Sequence, residues 1–253
     1  MNPTLRKMRV LESFGSGGPR TNPYLIQLAR ALEGYVDVIP FSWRAALFGD
    51  FDVFHVHWPE LLIRGRSRVK TLGRLVLFSF LLLRIRVSHV AVVRTAHNTA
   101  AHESGHRGEK QLLGQLDFLT DFVIQLNPAT TSPHLKRSRV VLHGDYRDWF
   151  AHVDVPPSVP GRVLYFGLIR RYKGVEALLE SFAAVPDRNW RLHITGRPDS
   201  PEFALDIMTV AARDDRVRVQ FGYLPDERLA DEIGRAEIVV LPYKMMQNSG
   251  AAL

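Results

Sequence analysis

The fold of this 253-residue chain can be inferred from one stretch, Val163-Leu-Tyr-Phe-Gly-Leu-Ile-Arg-Arg-Tyr-Lys-Gly174. It opens with an apolar run that has the length of a buried strand, and Gly167 interrupts the run. Apolar residues then recur at helical spacing from Val175 to Phe182, which predicts a helix directly behind Gly174. The stretch is therefore a strand, a loop and the start of a helix.

The loop carries three cations, Arg170, Arg171 and Lys173. Backbone N–H groups and the helix dipole favour an anion at the start of a helix. Two side-chain cations added there would hold a diphosphate. The alternative is an ordinary solvated strand-to-helix turn, because Lys and Arg side chains are mostly exposed, and spacing alone leaves both interpretations open.

The segment Phe166-Gly-Leu-Ile-Arg-Arg-Tyr-Lys-Gly174, with the apolar helix behind it, resembles the donor-phosphate loop of family 4 retaining glycosyltransferases (glycosyl transferases group 1). The resemblance covers nearly all of the chain and is most specific from Val163 to Leu253. It implies that Arg170 and Lys173 bind the diphosphate of a nucleotide-sugar, with Gly167 beside it. It also implies sugar transfer with retention, with no metal or other cofactor.

Three later strand ends resemble the same family in the same order: Thr195-Gly-Arg, Phe221-Gly-Tyr-Leu-Pro and Val239-Val-Leu-Pro-Tyr. By this resemblance, the donor is flanked by Gly196 and Arg197. The nucleotide base meets the backbone near Tyr223 and Leu224.

The family's two glutamates, separated by seven residues, are missing from the end of the chain, which reads Met245-Met-Gln-Asn-Ser-Gly-Ala-Ala-Leu253. Some members carry an Asn-Ser-Gly variant, and Asn248 and Ser249 can hydrogen-bond a sugar or a phosphate. The chain stops within an apolar segment, so we expect a C-terminally truncated protein with reduced stability and little or no turnover. The missing acids leave a second hypothesis open, a non-catalytic nucleotide-sugar or polyanion binding protein derived from such an enzyme.

In the first half, a predicted strand, the loop Gly15-Ser-Gly-Gly18 and a predicted helix follow one another, as in nucleotide-binding α/β units. Glycines allow close approach of the backbone to a ligand, so Gly17 and Gly18 are candidate donor-binding residues. A simple tight turn explains the same glycines.

Histidines stand at the ends of two predicted strands. His57 follows the strand Phe51 to Val56, where a packed structural histidine is the alternative, and His97 follows the strand Val90 to Thr95. The segment Thr95-Ala-His-Asn98 is similar to the family's N-domain motif, whose histidine lies near the transferred sugar. The resemblance therefore makes His97 a candidate catalytic residue, and a capping or loop histidine is the alternative.

Composition limits the partners. The net charge is +7. The chain has no cysteine, which fits a reducing cytoplasm and excludes disulfides and thiolate metal sites. A basic surface indicates an anionic partner, and nucleic acid is only a minor alternative because no nucleic-acid motif is present.

The apolar run within Arg64 to Arg86 is too short to span a membrane. It predicts a buried crossover helix, and its basic flank suggests peripheral contact with the inner membrane face, since the family often uses lipid-linked acceptors.

Strands that alternate with helices predict parallel sheets in both halves. The segment 154–161 contains three prolines and a glycine and is typical of an interdomain linker. We therefore expect an α/β protein of the GT-B type, with two Rossmann-like domains facing across a cleft. Residues 1–153 form the acceptor-side domain, and residues 162–253 form an incomplete nucleotide-sugar-binding domain.

Overall fold

The computed structural model describes residues 6–17, 21–97, 106–128, 137–244 and 249–252. The chain divides into two compact units, Met1–Gly144 and Asp145–Leu253, called here the N-terminal and C-terminal units. Gly18 and Asn248 lie outside the described residues, so nothing is concluded about these two candidates.

The N-terminal unit contains a six-stranded parallel sheet in the order β2-β1-β3-β4-β5-β6. Its strands are β1 (Arg9–Glu12), β2 (Asp37–Ile39), β3 (Val53–Val56), β4 (Ala91–Ala96), β5 (Phe122–Gln125) and β6 (Ser138–Val140). Its helices are α1 (Pro23–Glu33), α2 (Trp43–Phe48), α3 (Pro59–Ile63), α4 (Arg68–Ser88) and α5 (Arg107–Leu119). Helices and strands share one apolar core that includes Phe54 of β3 and Phe78 of α4.

The C-terminal unit contains a four-stranded parallel sheet in the order β10-β7-β8-β9. Its strands are β7 (Arg162–Phe166), β8 (Arg191–Gly196), β9 (Val217–Phe221) and β10 (Ile238–Val239). Its helices are α6 (Arg147–Phe150), α7 (Val175–Ala183), α8 (Pro201–Ala211) and α9 (Asp226–Arg235). A second apolar core joins β7 and β8 to one face of α7 and α8. The α/β class and the parallel sheets are therefore confirmed.

The predicted linker packs on the C-terminal unit. Within this segment, the backbone N–H of Val159 donates to the carbonyl of Arg235 at 2.9 Å. Just ahead of it, the Trp149 Nε1–H of α6 donates to Asp226 Oδ2 at 2.8 Å. Val155 lies against Gly234, where an added Cβ would come within 2.1 Å of its side chain. The prolines of 154–161 thus hold an extended strap against α9, and the unit boundary lies ahead of the strap, at Gly144.

Two local predictions were wrong. The apolar residues from Val140 to His143 predict the last strand of the first half, but that strand is Ser138–Val140, and residues 141–145 lie outside it. The apolar run in α4 is not wholly buried: Phe78, Leu81 and Leu82 face the core, whereas Val76, Phe80 and Leu83 are exposed. Apolar residues therefore lie on both the buried and the exposed face of α4.

Candidate active site

The loop after β7 is shaped by two glycines with positive φ, Gly167 at +117° and Gly174 at +73°. Between them, residues Arg171–Lys173 form one turn of 3-10 helix, and α7 begins directly after Gly174. A Cβ at Gly174 would lie 2.1 Å from the carbonyl oxygen of Pro242, so only glycine fits there. The local sequence therefore turns the chain sharply and presents the loop cations near the start of α7.

Lys173 is oriented toward the carboxyl end of the sheet. Its Nζ donates to the Tyr243 hydroxyl at 3.2 Å and lies 4.7 Å from the centre of the Tyr243 ring. It also lies 3.8 Å from the position of a Cβ added at Gly167. The ammonium group is thus held over the end of β7 by a hydrogen bond and a cation–π contact.

Arg170 and Arg171 differ in what they contact. Arg171 is bound to Glu176 and Asp206 and covers the Phe203 ring, so it ties the loop to α7 and α8. Arg170 is half-buried, and its side chain makes no hydrogen bond or ion pair with any residue that the structure describes. Arg170 and Lys173 are the two loop cations that a ligand could recruit.

The ends of the neighbouring strands come close to this loop. A Cβ at Gly196 would lie 1.7 Å from the Gly167 carbonyl oxygen, and the Ile169 N–H donates to the Arg197 carbonyl at 2.9 Å. Because β7 and β8 are parallel neighbours, Gly167, Gly196 and Arg197 share one edge of the sheet, where ligands bind in open α/β sheets.

The remaining candidates of this unit lie farther along the chain. Tyr223 is exposed and Leu224 half-buried, in the loop after β9, whose turn uses Gly222 with φ +138°. Ser249 is half-buried and begins a 3-10 turn at residues 250–252. These positions allow contact with a ligand, and their roles stay predictions.

The N-terminal unit holds a buried polar cluster at the carboxyl ends of β1, β3 and β4. Glu12 Oε1 lies 3.0 Å from His55 Nδ1, and His55 Nε2 lies 2.9 Å from Thr95 Oγ1. Glu12 Oε2 lies 3.3 Å from His57 Nε2, and His57 Nδ1 lies 3.1 Å from His97 Nε2. The candidates His57 and His97 are therefore in contact with each other, and Gly17 (φ +85°) is exposed in the loop that follows β1.

Aromatic rings fix the position of His97. Trp58 stacks on its imidazole at 3.9 Å between ring centres, and Tyr24 meets it edge-on at 5.4 Å. Burial, together with His57, His143 and His55, lowers the pKa of His97 to about 3. Burial also lowers the pKa of His57, although Glu12 opposes that shift. Both rings are accordingly neutral at pH 7.

Glu12 is fully buried and carries a charge. Burial by itself raises the pKa of its carboxyl, but the contacts with His55 and His57 outweigh that effect and hold the pKa below its usual value. Oxygen and nitrogen atoms of Glu12, His55 and His57 lie close enough together to surround a metal ion. Two of those atoms already share a hydrogen bond at 3.0 Å, so we interpret the group as a hydrogen-bonded network.

Sequence reasoning missed Glu12, His55 and Tyr243. A weak signal existed for Glu12, an acid that closes the otherwise apolar end of β1. No such signal marked His55, because a polar residue next to Val56 is also compatible with the alternation of an ordinary strand. The role of Tyr243 requires knowledge that β10 lies next to β7.

Comparison with known proteins decides the family. Residues 160–252 match the family model described as glycosyl transferases group 1. The chain is 42% identical over 247 residues to a GDP-mannose:glycolipid 4-beta-D-mannosyltransferase of Xanthomonas campestris pv. campestris, an alignment that covers 98% of this chain and 70% of that protein. The chain belongs to the group 1 glycosyltransferases. It is an enzyme of the hexosyltransferase kind, and the predicted family is confirmed.

Solved structures show the same fold. HepE of Anabaena, in complex with UDP and glucose, superposes with a TM-score of 0.61 at 13% identity, covering 97% of this chain and 77% of HepE. A glycosyltransferase of Rickettsia africae superposes with a TM-score of 0.58 at 13% identity, covering 95% of this chain and 74% of that protein. The likeness confirms the GT-B fold class. The 42% identity to the mannosyltransferase does not favour the alternative of a non-catalytic binding protein.

Proposed function

We propose that this chain transfers a mannosyl group from GDP-mannose to a lipid-linked sugar. The observation that carries the proposal is the 42% identity, over 98% of the chain, to a mannosyltransferase with that donor and a glycolipid acceptor in its name. The loop geometry supports it, because a nucleoside diphosphate is the leaving group and Arg170 and Lys173 are available to bind it.

The loop cations would act on the charge that develops when the bond from mannose to the diphosphate breaks. Lys173 is already oriented by Tyr243, so little reorganisation is needed when the charge appears. Arg170 adds a planar guanidinium that can bind two phosphate oxygens at once. We propose that these side chains neutralise the departing diphosphate without a metal ion.

The stereochemical course is a separate proposal. Retention, which the family resemblance implies, is untested. The relative's name specifies a β-mannoside, and GDP-mannose carries its mannose in α linkage, so we propose inversion for this chain. A single displacement of that kind needs a base for the proton of the acceptor hydroxyl. His97, at the end of β4, is the candidate base.

We also propose membrane contact, and the surface of α4 supports it. Six apolar residues recur at intervals of three or four along its exposed side: Val69, Leu72, Val76, Phe80, Leu83 and Val87. We call this the α4 stripe. Such a row on a helix can enter the boundary between headgroups and acyl chains.

The cations near the α4 stripe divide into two groups. Arg64 binds Glu109, and Arg74 and Arg84 bind backbone carbonyls, so these three support the fold. The others are exposed: Arg66, Arg68, Lys70 and Arg86. Charge complementarity therefore favours an anionic lipid surface as the occupant of the stripe. None of the helices that the structure describes is both long enough and apolar enough to cross a bilayer. We propose peripheral attachment at the cytoplasmic face.

The test uses radiolabelled GDP-mannose and a bacterial glycolipid extract. We expect label to enter the organic phase, with excess unlabelled GDP-mannose but not UDP-glucose suppressing it. The anomeric carbon–proton coupling of the product then distinguishes a β-mannoside, which inversion predicts, from an α-mannoside, which retention predicts. GDP-mannose binding without label in any lipid fraction would overturn the transfer reaction and favour the nucleotide-sugar-binding alternative.

A further inference from the structure

The cluster of Glu12, His57 and His97 contains three ionisable side chains, whereas a single base would require one. Its three side chains form one line of contacts, from the carboxylate through one imidazole to the next. The exposed fraction rises along that line, from 0% at Glu12 to 3% at His57 and 7% at His97. The line therefore runs from the interior toward the end of β4, and an acidic group lies at its closed end.

The positions of the protons follow from the donor and acceptor chemistry. An ionised carboxylate only accepts, so His55 Nδ1 carries the proton in its contact with Glu12 Oε1. His55 Nε2 then accepts from the Thr95 hydroxyl. The second oxygen, Oε2, is buried and lies 3.3 Å from His57 Nε2, and neither atom has an aligned hydrogen-bond partner among the described residues. A proton on Nε2 places a partial positive charge beside the carboxylate, whereas a lone pair there would repel it, so the environment favours the Nε2–H tautomer of His57.

The same logic continues to His97. A neutral His57 with its proton on Nε2 has an accepting Nδ1, and that atom lies 3.1 Å from His97 Nε2. His97 must therefore donate through Nε2, which leaves its Nδ1 as the nitrogen without a proton. One carboxylate at the end of the line thus fixes the tautomers of two imidazoles.

We infer that Glu12 and His57 are positioning residues that make His97 Nδ1 the proton acceptor of sugar transfer and carry the resulting charge inward. This inference rests on the proposed function, because it concerns the base of that reaction. It adds Glu12 to the site, and it gives a role to His57, which the sequence marks only as a histidine at a strand end.

The acceptor oxygen forms a bond to the anomeric carbon of mannose while the bond from that carbon to the diphosphate breaks and GDP leaves with the electron pair. The hydroxyl proton passes to His97 Nδ1, and the proton on His97 Nε2 passes to His57 Nδ1. His97 ends neutral, and the positive charge ends on His57, whose Nε2–H faces the Glu12 carboxylate.

Moving the positive charge from His97 to His57 compensates for the unfavourable environment of a charged His97. Burial and three neighbouring histidines make a charged His97 unfavourable, so a base acting alone there would hold the proton weakly at pH 7. His57 is the better location for the charge because it faces Glu12 directly. Among the described residues, the other titratable side chains around the pair are His55, His143 and Tyr24, whose ring meets both imidazoles edge-on. His55 and His143 oppose a positive charge on His97.

Nitrogen-15 NMR of the histidine rings tests the arrangement without sugar transfer. In the wild-type chain at pH 7.5 we expect a protonated Nε2 and an unprotonated Nδ1 for both His57 and His97, and the opposite tautomer for His55. Assignment uses the single variants, with His89→Asn as a control because His89 is an exposed C-cap of α4 in the left-handed region that Asn tolerates. A protonated Nδ1 on His97, or ring signals that move on addition of zinc, would overturn the relay.

Kinetics supply the second readout. We expect Glu12→Gln to lower kcat about 100-fold and to leave KM for GDP-mannose within twofold. We also expect the acid limb of its pH–rate profile to move to lower pH, because the His57 cation loses its counter-charge. His89→Asn should match the wild type. An unchanged pH profile in a folded Glu12→Gln protein would overturn the inference. An inactive wild type with the expected tautomers would instead count against the proposed function.

Discussion

Replacing each of the three loop cations by glutamine gives a graded test of the donor site. A hydrogen bond to a charged group contributes about 1.5–3 kcal/mol when both partners are well placed. Lys173 is already ordered by Tyr243, at 3.2 Å from its hydroxyl, so binding costs it little additional side-chain entropy. We therefore expect Lys173→Gln to fall at the upper end of that range, which corresponds to a loss of about 100-fold in GDP affinity.

Arg170 should give a smaller loss. Its side chain has no hydrogen-bonding or ionic partner among the described residues, so it must become ordered when GDP binds, and that cost offsets part of the gain. We expect Arg170→Gln to weaken GDP binding about 10-fold. Arg171→Gln is the matched control, because Arg171 is engaged by Glu176 and Asp206.

Isothermal titration calorimetry with GDP measures all three variants at one ionic strength. The expected order of affinity is wild type, then Arg171→Gln within about twofold, then Arg170→Gln, then Lys173→Gln. The reasoning would be refuted if Arg171→Gln lost as much affinity as Lys173→Gln, or if neither Arg170→Gln nor Lys173→Gln changed the dissociation constant. Circular dichroism of each variant separates a binding effect from unfolding.

Three other perturbations test separate parts of the structure. Gly196→Ala puts a Cβ 1.7 Å from the Gly167 carbonyl oxygen, at a residue with φ +151°. We expect the free energy of unfolding to fall by about 3 kcal/mol and the Tm to fall by about 10 °C or more. A Tm shift below 2 °C would show that the loop moves aside easily. His97 has a folded-state pKa below its unfolded value, so the unfolded chain binds more protons between the two and stability falls on acidification. We expect that fall to reach about 2 kcal/mol by pH 5 in urea unfolding and to be smaller in His97→Asn, and equal pH dependence in both proteins would be inconsistent with the assignment. Phe80→Ser, in the α4 stripe, should reduce co-sedimentation with anionic vesicles but not with neutral vesicles. The control Leu205→Ser, at an exposed position of α8, should leave co-sedimentation unchanged. An equal loss in the two variants, or dimerisation through the stripe in sedimentation velocity, would argue against a lipid surface.

The strand, turn and helix around Gly167 and Gly174 were predictable because their signals are local. A short apolar run, two glycines and a helical period lie next to one another between Val163 and Phe182, and together they predict a strand, a turn and a helix. They do not by themselves distinguish a phosphate-binding loop from a solvated turn. The parallel sheets followed from the alternation of strands and helices. The same local logic failed for α2 and α3, although Ser42 caps the first and Pro59 begins the second, because such short helices leave little periodicity to detect.

The polar cluster of the N-terminal unit depends on strand order, which local patterns do not contain. Glu12 meets His55 because β1 and β3 are neighbours in the sheet, although β2 follows β1 in the chain. His57 and His97 were recognisable as strand-end residues, but their contact required β3 and β4 in register. A buried acid at the end of an apolar strand is the one feature that could have drawn attention to the group.

Hydrogen–deuterium exchange with and without GDP tests most directly whether the turn after β7 binds the diphosphate. The account predicts that GDP slows amide exchange in Gly167 to Gly174 and at the start of α7, and that this protection is lost in a Lys173→Gln, Arg170→Gln double variant. Guanosine, which lacks phosphates, should leave the segment unprotected. Saturating GDP that leaves exchange in 167–174 unchanged, or equal protection by guanosine, would contradict the central claim.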